Sequence, residues 1–234
     1  MKKRQKLGQH FLKSEKIANT IVSAAMLTTN DIVLEIGTGK GILTPLLCKN
    51  AKNVISYETD RKLFQITKDN LSNISNLKLK YGNGFKSREN FSVFVSNLPY
   101  SKSRAAIEWL IQKNFSRAVI MVQKEFAEKL ITNSKKERKA ISILAQHALE
   151  MKTVTKVSKS NFLPQPKIDS VVLKLKRKTT IPNNLIKTTN RLFSYRRKTL
   201  QNIIRQFGKN IKSNKRLDDL DGDEIIKIAK QIIN

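Results

Sequence analysis

The chain has 234 residues, 39% of them hydrophobic and 27% charged, a globular composition with room for one medium domain and a small appendage. Lys and Arg number 46 against 18 acids, and the net charge of +28 points to a polyanionic partner, because each cation set on a phosphate releases counterions. No apolar run reaches the ~18–20 residues that span a bilayer. The basic start MKKRQKLGQHFLKSEK lacks the apolar stretch of a secretory signal, and one cysteine with two histidines gives no disulfide and little support for metal or His-based nucleophilic chemistry, which fits a cytoplasmic protein.

In chain order, Ile32–Ile36 reads as a short apolar strand ending in glycines, Ile42–Asn50 as a helix, and Val54–Tyr57 as a second strand. Lys62–Leu71 has helical spacing, Leu77–Tyr81 alternates like a half-buried strand, and Phe91–Ser96 is a further strand. Ser103–Gln112 reads as a helix and Ala118–Val122 as a buried strand. This alternation predicts an α/β fold with a parallel sheet covered on both faces. Helices then follow at Lys124–Ile131 and Ala140–Leu149. Met151–Val157 and Val171–Leu175 are period-2 strands separated by the loop Ser158–Ser170, placed as an antiparallel pair at one end of the sheet. The polar stretch Lys176–Asn184 marks a boundary. It sets residues 1–178 apart from a basic helical domain, 179–234, with helices at Leu185–Phe193, Thr199–Phe207 and Glu224–Ile233.

Three motifs carry chemistry. In Glu35-Ile36-Gly37-Thr38-Gly39-Lys40-Gly41, three of the eight glycines lie between a strand and a helix. Glycines there serve either a plain turn or the close approach of a ligand to a helix N-terminus. The third glycine of a dinucleotide fingerprint is replaced by Ile42, and no Lys-Ser or Lys-Thr follows Gly41 as in a Walker loop. Glu58 ends the second strand about 20 residues on, where an acid accepts hydrogen bonds from ribose hydroxyls; the alternative is an ordinary surface Glu. Together they indicate a nucleoside-type cofactor, and the glycine spacing favours S-adenosylmethionine over NAD. Asn97-Leu98-Pro99-Tyr100 follows the fourth strand. Its proline pushes Leu98 out of helical geometry, so the Asn97 side-chain oxygen and the Leu98 carbonyl can address one amino group while Tyr100 offers a flat face to a base.

From Leu7 to about Leu200 the chain resembles the S-adenosylmethionine-dependent ribosomal RNA adenine N6,N6-dimethyltransferases, and among them the small-subunit enzymes. Leu7-Gly8-Gln9-His10-Phe11-Leu12 matches the motif that helps cover the cofactor. Gly37 and Gly39 match the methionine-binding loop, Glu58 the ribose ligand, and Asn97 to Tyr100 the target-amine motif. Phe162-Leu163-Pro164-Gln165-Pro166-Lys167-Ile168-Asp169-Ser170 matches the loop with a base-contacting Phe. Phe193 with Arg196-Arg197-Lys198-Thr199-Leu200 matches the basic element that opens the tail domain. The family usually has an acid at Asn83, next to the cofactor's adenine; Asn keeps the acceptor oxygen and loses the charge.

The resemblance implies a Rossmann-like class I methyltransferase sheet, mostly parallel with one antiparallel strand near the end, and a small C-terminal helical domain. It implies catalysis by Asn97, Leu98, Pro99 and Tyr100, and cofactor binding by His10, Leu12, Gly37, Gly39, Glu58, Asn83 and Asn97. Phe162 would stack on the target adenine, which must be unpaired to be methylated; from the residues alone it is equally a core anchor beneath a loop. Arg196, Arg197 and Lys198, of which Lys198 falls near one helical stripe with Arg191, Ser194 and Arg205, would hold RNA. The expected partner is ribosomal RNA or a small-subunit precursor, met by a monomer without metal or membrane. A large-subunit target stays open, as does an assembly factor without catalysis.

Overall fold

The computed structural model describes residues 10–233. Leu7, Gly8 and Gln9 of the N-terminal motif lie outside the described residues. The chain divides into two compact units. The first holds residues up to Ala106, then Asn114–Ala127 and Met151–Arg177; the second holds Ile107–Lys113, Glu128–Glu150 and the residues from Lys178 onward. The sequence reading kept 107–113 and 128–150 with the first domain.

In the first unit the elements run β1 (Phe11–Leu12), α1 (Glu15–Ala25), β2 (Ile32–Ile36), α2 (Thr44–Asn50), β3 (Asn53–Glu58), α3 (Arg61–Asn70), β4 (Leu77–Tyr81) and β5 (Val93–Asn97). They continue with α4 (Ser103–Leu110), β6 (Arg117–Gln123), α5 (Lys124–Ile131), α6 (Ala140–Ala148), β7 (Leu149–Val157), β8 (Phe162–Leu163) and β9 (Ser170–Arg177), of which α4, α5 and β7 straddle the two units and α6 belongs to the second. Seven strands form one sheet in the order β4-β3-β2-β5-β6-β9-β7, and β1 pairs with β8 in a separate ribbon. The pairs β2–β3, β3–β4, β2–β5 and β5–β6 are parallel, and β9 runs antiparallel to β6. The mostly parallel Rossmann-like sheet is as expected. Its interior strand β6 is buried from Ala118 to Val122, the continuous apolar run of a strand covered on both faces.

Helix α1 has no counterpart in the sequence reading. Ser14 caps it by accepting from the Ile17 N–H at 3.4 Å, and Ala18, Ile21, Val22 and Ala25 form its buried stripe. Met26 ends it at φ 49°. Below this end lies a polar clamp. Arg117, which opens β6, donates to the Ala25 and Met26 carbonyls at 2.5 and 2.7 Å and to Asp31 Oδ2 at 2.6 Å. Asp31 also accepts from the Thr28 N–H at 2.8 Å and from Ser92 Oγ at 2.8 Å. Burial works against this carboxylate's charge, but the bonds from Arg117, Ser92 and Thr28 prevail and hold its pKa below the ordinary range.

In the second unit, α6 is buried almost all round. Such a helix needs apolar partners on several sides, and it finds them in α7 (Asn183–Ser194) and α9 (Gly222–Ile233), which also pack on each other. The short α8 (Leu200–Arg205) lies between them in sequence. Arg138, buried ahead of α6, donates to the Leu217 carbonyl at 3.1 Å and also to that of Leu220.

Replacing Arg117 with Met keeps the length of the side chain and leaves Asp31 without its guanidinium. Loss of a charged partner at a largely buried site costs ~1–3 kcal/mol. Urea denaturation is expected to show that loss with an unchanged slope, and Asp31→Asn on the Met background is expected to recover part of it.

Candidate active site around the glycine turn

The turn after β2 is built from three glycines at positive φ: Gly37 at 89°, Gly39 at 60° and Gly41 at 79°. A side chain on any of them would strain the backbone. The requirement is one of backbone conformation, since a side chain would meet its neighbours only at ordinary contact distances. A Cβ on Gly39 would stand 3.5 Å from the Phe11 ring, and one on Gly37 would stand 3.9 Å from both the Asn97 carbonyl oxygen and Pro99 Cδ.

Glu35 lies beside this turn with 1% of its surface exposed. Its Oε2 accepts from Thr44 Oγ1 at 2.8 Å and from Ser56 Oγ at 2.6 Å, and Ser56 Oγ lies 2.6 Å from Thr38 Oγ1. Since the Ser56 proton points to the carboxylate, Thr38 donates to Ser56. The chain Thr38–Ser56–Glu35 therefore ties the turn to β2 and β3. Burial pushes the Glu35 pKa up to about 7, against the bonds from Ser56 and Thr44, and the Glu58 charge adds to the rise. Within the glycine motif, sequence alone assigns Glu35 no role. An acid in an otherwise apolar strand is the signal that marks it.

Glu58 holds the turn from the end of β3. Its Oε2 accepts from the Gly39 N–H at 2.8 Å, and its Oε1 accepts from the N–H groups of Thr59 and Asp60 at 2.8 and 2.9 Å. The Gly39 carbonyl in turn accepts from Thr67 Oγ1 at 3.1 Å. A carboxylate offers about four acceptor positions, so Glu58 retains capacity for a hydroxyl donor.

Asn83 is exposed just beyond β4, and its Oδ1 caps the following turn by accepting from the Phe85 N–H at 3.0 Å. That leaves the oxygen one further lone pair. Gly84 beside it is fixed by packing: a Cβ there would fall 2.7 Å from Ile36 Cγ1.

Asn97 ends β5, half-buried, and its side chain makes no hydrogen bond among the described residues. The Leu98 side chain is buried. Pro99 leads into a single turn of 3-10 helix, Tyr100–Lys102. The Tyr100 hydroxyl lies 2.8 Å from Ser170 Oγ, and burial raises its pKa above the ordinary phenol value.

The N-terminal segment reaches three of these pieces. The His10 ring stacks on Tyr100 with centroids 5.3 Å apart, and its Nδ1 donates to the Pro164 carbonyl at 2.8 Å. Phe11 lies against Gly39, and Lys40 Nζ stands 5.3 Å from the centre of its ring. Leu12 pairs with Phe162 across the β1–β8 ribbon.

Two expected binding residues are placed elsewhere. The Phe162 ring is in the core with 2% exposure, and Leu12 joins it there. Strand alternation is the reason: pairing with β1 turns Phe162 inward and leaves Leu163 outward at 59% exposure. As placed, both side chains are buried. The basic run is also not helical. Arg196-Arg197-Lys198 forms the turn between α7 and α8. Arg196 is engaged by Asp218 at 2.7 Å and by the Lys136 carbonyl at 2.9 Å, while Arg197 and Lys198 are exposed. Cys48 is buried, and burial pushes its thiol up to about 12.

Among the described residues no group of acids, histidines and cysteines gathers to hold a metal, and no helix is long and apolar enough to cross a membrane.

The strand order, the glycine turn after β2 and the acid at the end of β3 define a Rossmann-like methyltransferase. The model of the ribosomal RNA adenine dimethylase family matches residues 1–232, and the chain belongs to that family. A ribosomal RNA small subunit methyltransferase A of Thermotoga neapolitana is 37% identical over 232 residues, 95% of this chain and 88% of the relative. A dimethyladenosine transferase of Plasmodium falciparum superposes with a TM-score of 0.82 at 29% identity, covering 96% of this chain and 98% of its own. The 23S rRNA methyltransferase ErmE, with a TM-score of 0.70 at 21% identity and covering 96% of this chain and 100% of its own, shares the fold.

The Glu35 pKa yields a signed expectation. A carboxyl at about 7 in the folded protein and 4.5 in the unfolded chain favours folding fully below 4.5, and that contribution is lost as the pH rises through 7. Glu35→Gln keeps an acceptor for Thr44 and Ser56 and cannot ionise. Between pH 4.5 and 7.5 the wild type is expected to lose about 2–4 kcal/mol relative to the variant, measured as the gap between their denaturation free energies. Parallel curves would show that Glu35 does not titrate in this range.

Proposed function

We propose that this protein transfers methyl groups from S-adenosylmethionine to N6 of adenine in small-subunit ribosomal RNA, twice per base, during ribosome biogenesis. The observation that carries this reading is the shared wall of two motifs, where Gly37 approaches both Asn97 and Pro99. A group seated on the glycine turn is thereby beside the acceptors that end β5. The family supports adenine as the target base. The relatives named as small subunit methyltransferases support the choice of subunit, and a net charge of +28 supports an RNA partner.

S-adenosylmethionine supplies a methyl group on a sulfonium, already a good leaving group, so what remains for the chain is largely positioning. The residues present fit such a cofactor. Gly37 and Gly39 let it approach the backbone, Glu58 accepts from a ribose hydroxyl with its remaining capacity, and Asn83 offers a lone pair to the adenine amino group. His10 and Phe11 bring the N-terminal segment over the turn.

For the target base, Asn97 Oδ1 and the Leu98 carbonyl accept from the exocyclic amine. Those bonds draw its lone pair out of conjugation with the ring and stabilise the positive charge that develops on nitrogen. Tyr100 provides a platform on the face that His10 does not cover. Its raised pKa keeps it neutral, and the bond to Ser170 fixes its ring. The amine proton leaves to solvent after transfer. Arg197 and Lys198 remain exposed for RNA phosphates; Arg196 serves mainly to hold the turn.

Small subunits lacking the modification, incubated with the protein and labelled cofactor, are expected to gain two methyl groups per target adenine by mass mapping; label confined to large-subunit RNA would overturn the assignment. Asn97→Ala is expected to lower turnover ~10²–10³-fold with cofactor affinity within a few-fold, and near-normal turnover would remove Asn97 from the reaction. Glu58→Ala is expected to weaken cofactor binding by ~1.5–3 kcal/mol, read by equilibrium dialysis.

A further inference from the structure

The second unit contains a cavity of about 430 Å³ lined by Lys187, Thr188 and Arg191 of α7, by Gln206 and Phe207 just after α8, and by Ile232 of α9. The glycine turn and Asn97 contribute nothing to it. Its lining contains two cations, one aromatic ring and no acid.

The cations are held or available in a particular way. The Arg191 guanidinium lies 4.6 Å from the centre of the Phe207 ring and donates to the Gln206 carbonyl at 2.8 Å. It is thereby fixed beside the aromatic ring in a region open to solvent. Lys187 lies one helical turn earlier on the same face of α7, is exposed, and makes no ion pair among the described residues.

A basic loop adjoins the cavity. From Arg205 to Arg216 there are five cations and no acid. Gly208 turns the chain at φ 72° immediately after Phe207. The loop is tied back by Leu200 N–H to the Lys215 carbonyl at 2.7 Å and by Gln201 N–H to the Ser213 carbonyl at 3.2 Å. Lys209 Nζ donates to the Gln231 carbonyl, next to Ile232. Four of the tail's five acids are engaged elsewhere. Asp218 pairs with Arg196, Asp219 accepts from the Arg216 N–H, and Asp221 and Glu224 accept from each other's N–H groups.

We propose that this cavity is a binding site for one unpaired RNA nucleotide, its base against Phe207 and Arg191 and its flanking phosphates on Lys187 and the basic loop. The inference rests on the reading that the protein acts on RNA, and it assigns a second contact separate from methyl transfer. An aromatic ring backed by a guanidinium takes any base by stacking, whereas a site for phosphate alone has no use for the ring. A duplex keeps its bases stacked inside, so the site selects single strands.

The test is anisotropy of a labelled hexaribonucleotide on the full chain, with a duplex of equal length and a poly-glutamate peptide as competitors. Phe207→Leu keeps apolar bulk and removes the flat face. It is expected to weaken single-strand binding about 5- to 100-fold with an unchanged salt slope and little change for duplex, while Phe207→Trp retains binding. Lys187→Gln is expected to flatten the salt slope by about one phosphate. Wild-type affinity in Phe207→Leu, an equal loss for duplex, or poly-glutamate competing as well as RNA would each overturn the site. Methylation by the wild type is scored separately. If it fails while hexanucleotide binding still depends on Phe207, the activity reading falls and the site stands.

Discussion

The Gly37–Gly41 turn is held between two carboxylates, and the site depends on that hold. Three residues at positive φ give a turn that comes close to its neighbours but makes few side-chain contacts of its own. Glycine backbone is costly to order, so the turn needs fixed partners. Glu35 supplies one through Ser56 and Thr38, and Glu58 supplies the other through the Gly39 N–H. Thr67 secures the Gly39 carbonyl. Both faces of that one residue are thus fixed before any ligand arrives, and ordering entropy is settled at folding rather than at binding.

Topology then decides what the fixed turn meets. In the order β4-β3-β2-β5-β6, the strands β2 and β5 are neighbours although α2, β3, α3 and β4 separate them in sequence. This is the switch point of a doubly wound sheet, where loops leave adjacent strands in opposite directions and open a crevice. Gly37 leaves β2 there and Asn97 ends β5 there, so their closeness follows from strand order. At the other end of the same strands, the Arg117–Asp31 clamp joins the end of α1 to the starts of β2 and β6. One end of the sheet is closed by charge pairing, and the opposite end is left for chemistry.

Much of this was legible from residues. The runs Ile32–Ile36 and Leu77–Tyr81 are strands with those same ends, because their turn residues are unambiguous. The convergence of the glycine turn, Glu58 and Asn97 was readable because a parallel sheet puts strand ends together. Other features were hidden for physical reasons. Helix α1 has a short apolar stripe interrupted by Asn19 and Thr20, although Ser14 and Glu15 form a proper start. The inward turn of Phe162 depends on a two-residue pairing with β1 that no periodicity announces. The membership of 107–113 and 128–150 in the second unit depends on which neighbours bury α6, a tertiary matter.

Charge shows the same limit most clearly. A net +28 speaks for a polyanion, yet it does not say which cations are free to meet one. Arg117 and Arg138 are spent on carbonyls inside the fold, and Arg196, first of the most basic-looking triplet, is bound to Asp218 and two backbone oxygens. Arginine suits this internal work because its planar fork satisfies several carbonyls at once, whereas lysine keeps its charge hydrated on a flexible stem. The division runs through the tail: Arg196 beside Asp218 holds a turn together, while Lys187, Lys198, Lys212 and Lys215 are exposed. Attraction for a polyanion therefore rests more on dispersed lysines than on the conspicuous run, and what the proposed nucleotide site adds is geometry, a guanidinium held beside an aromatic ring at Arg191.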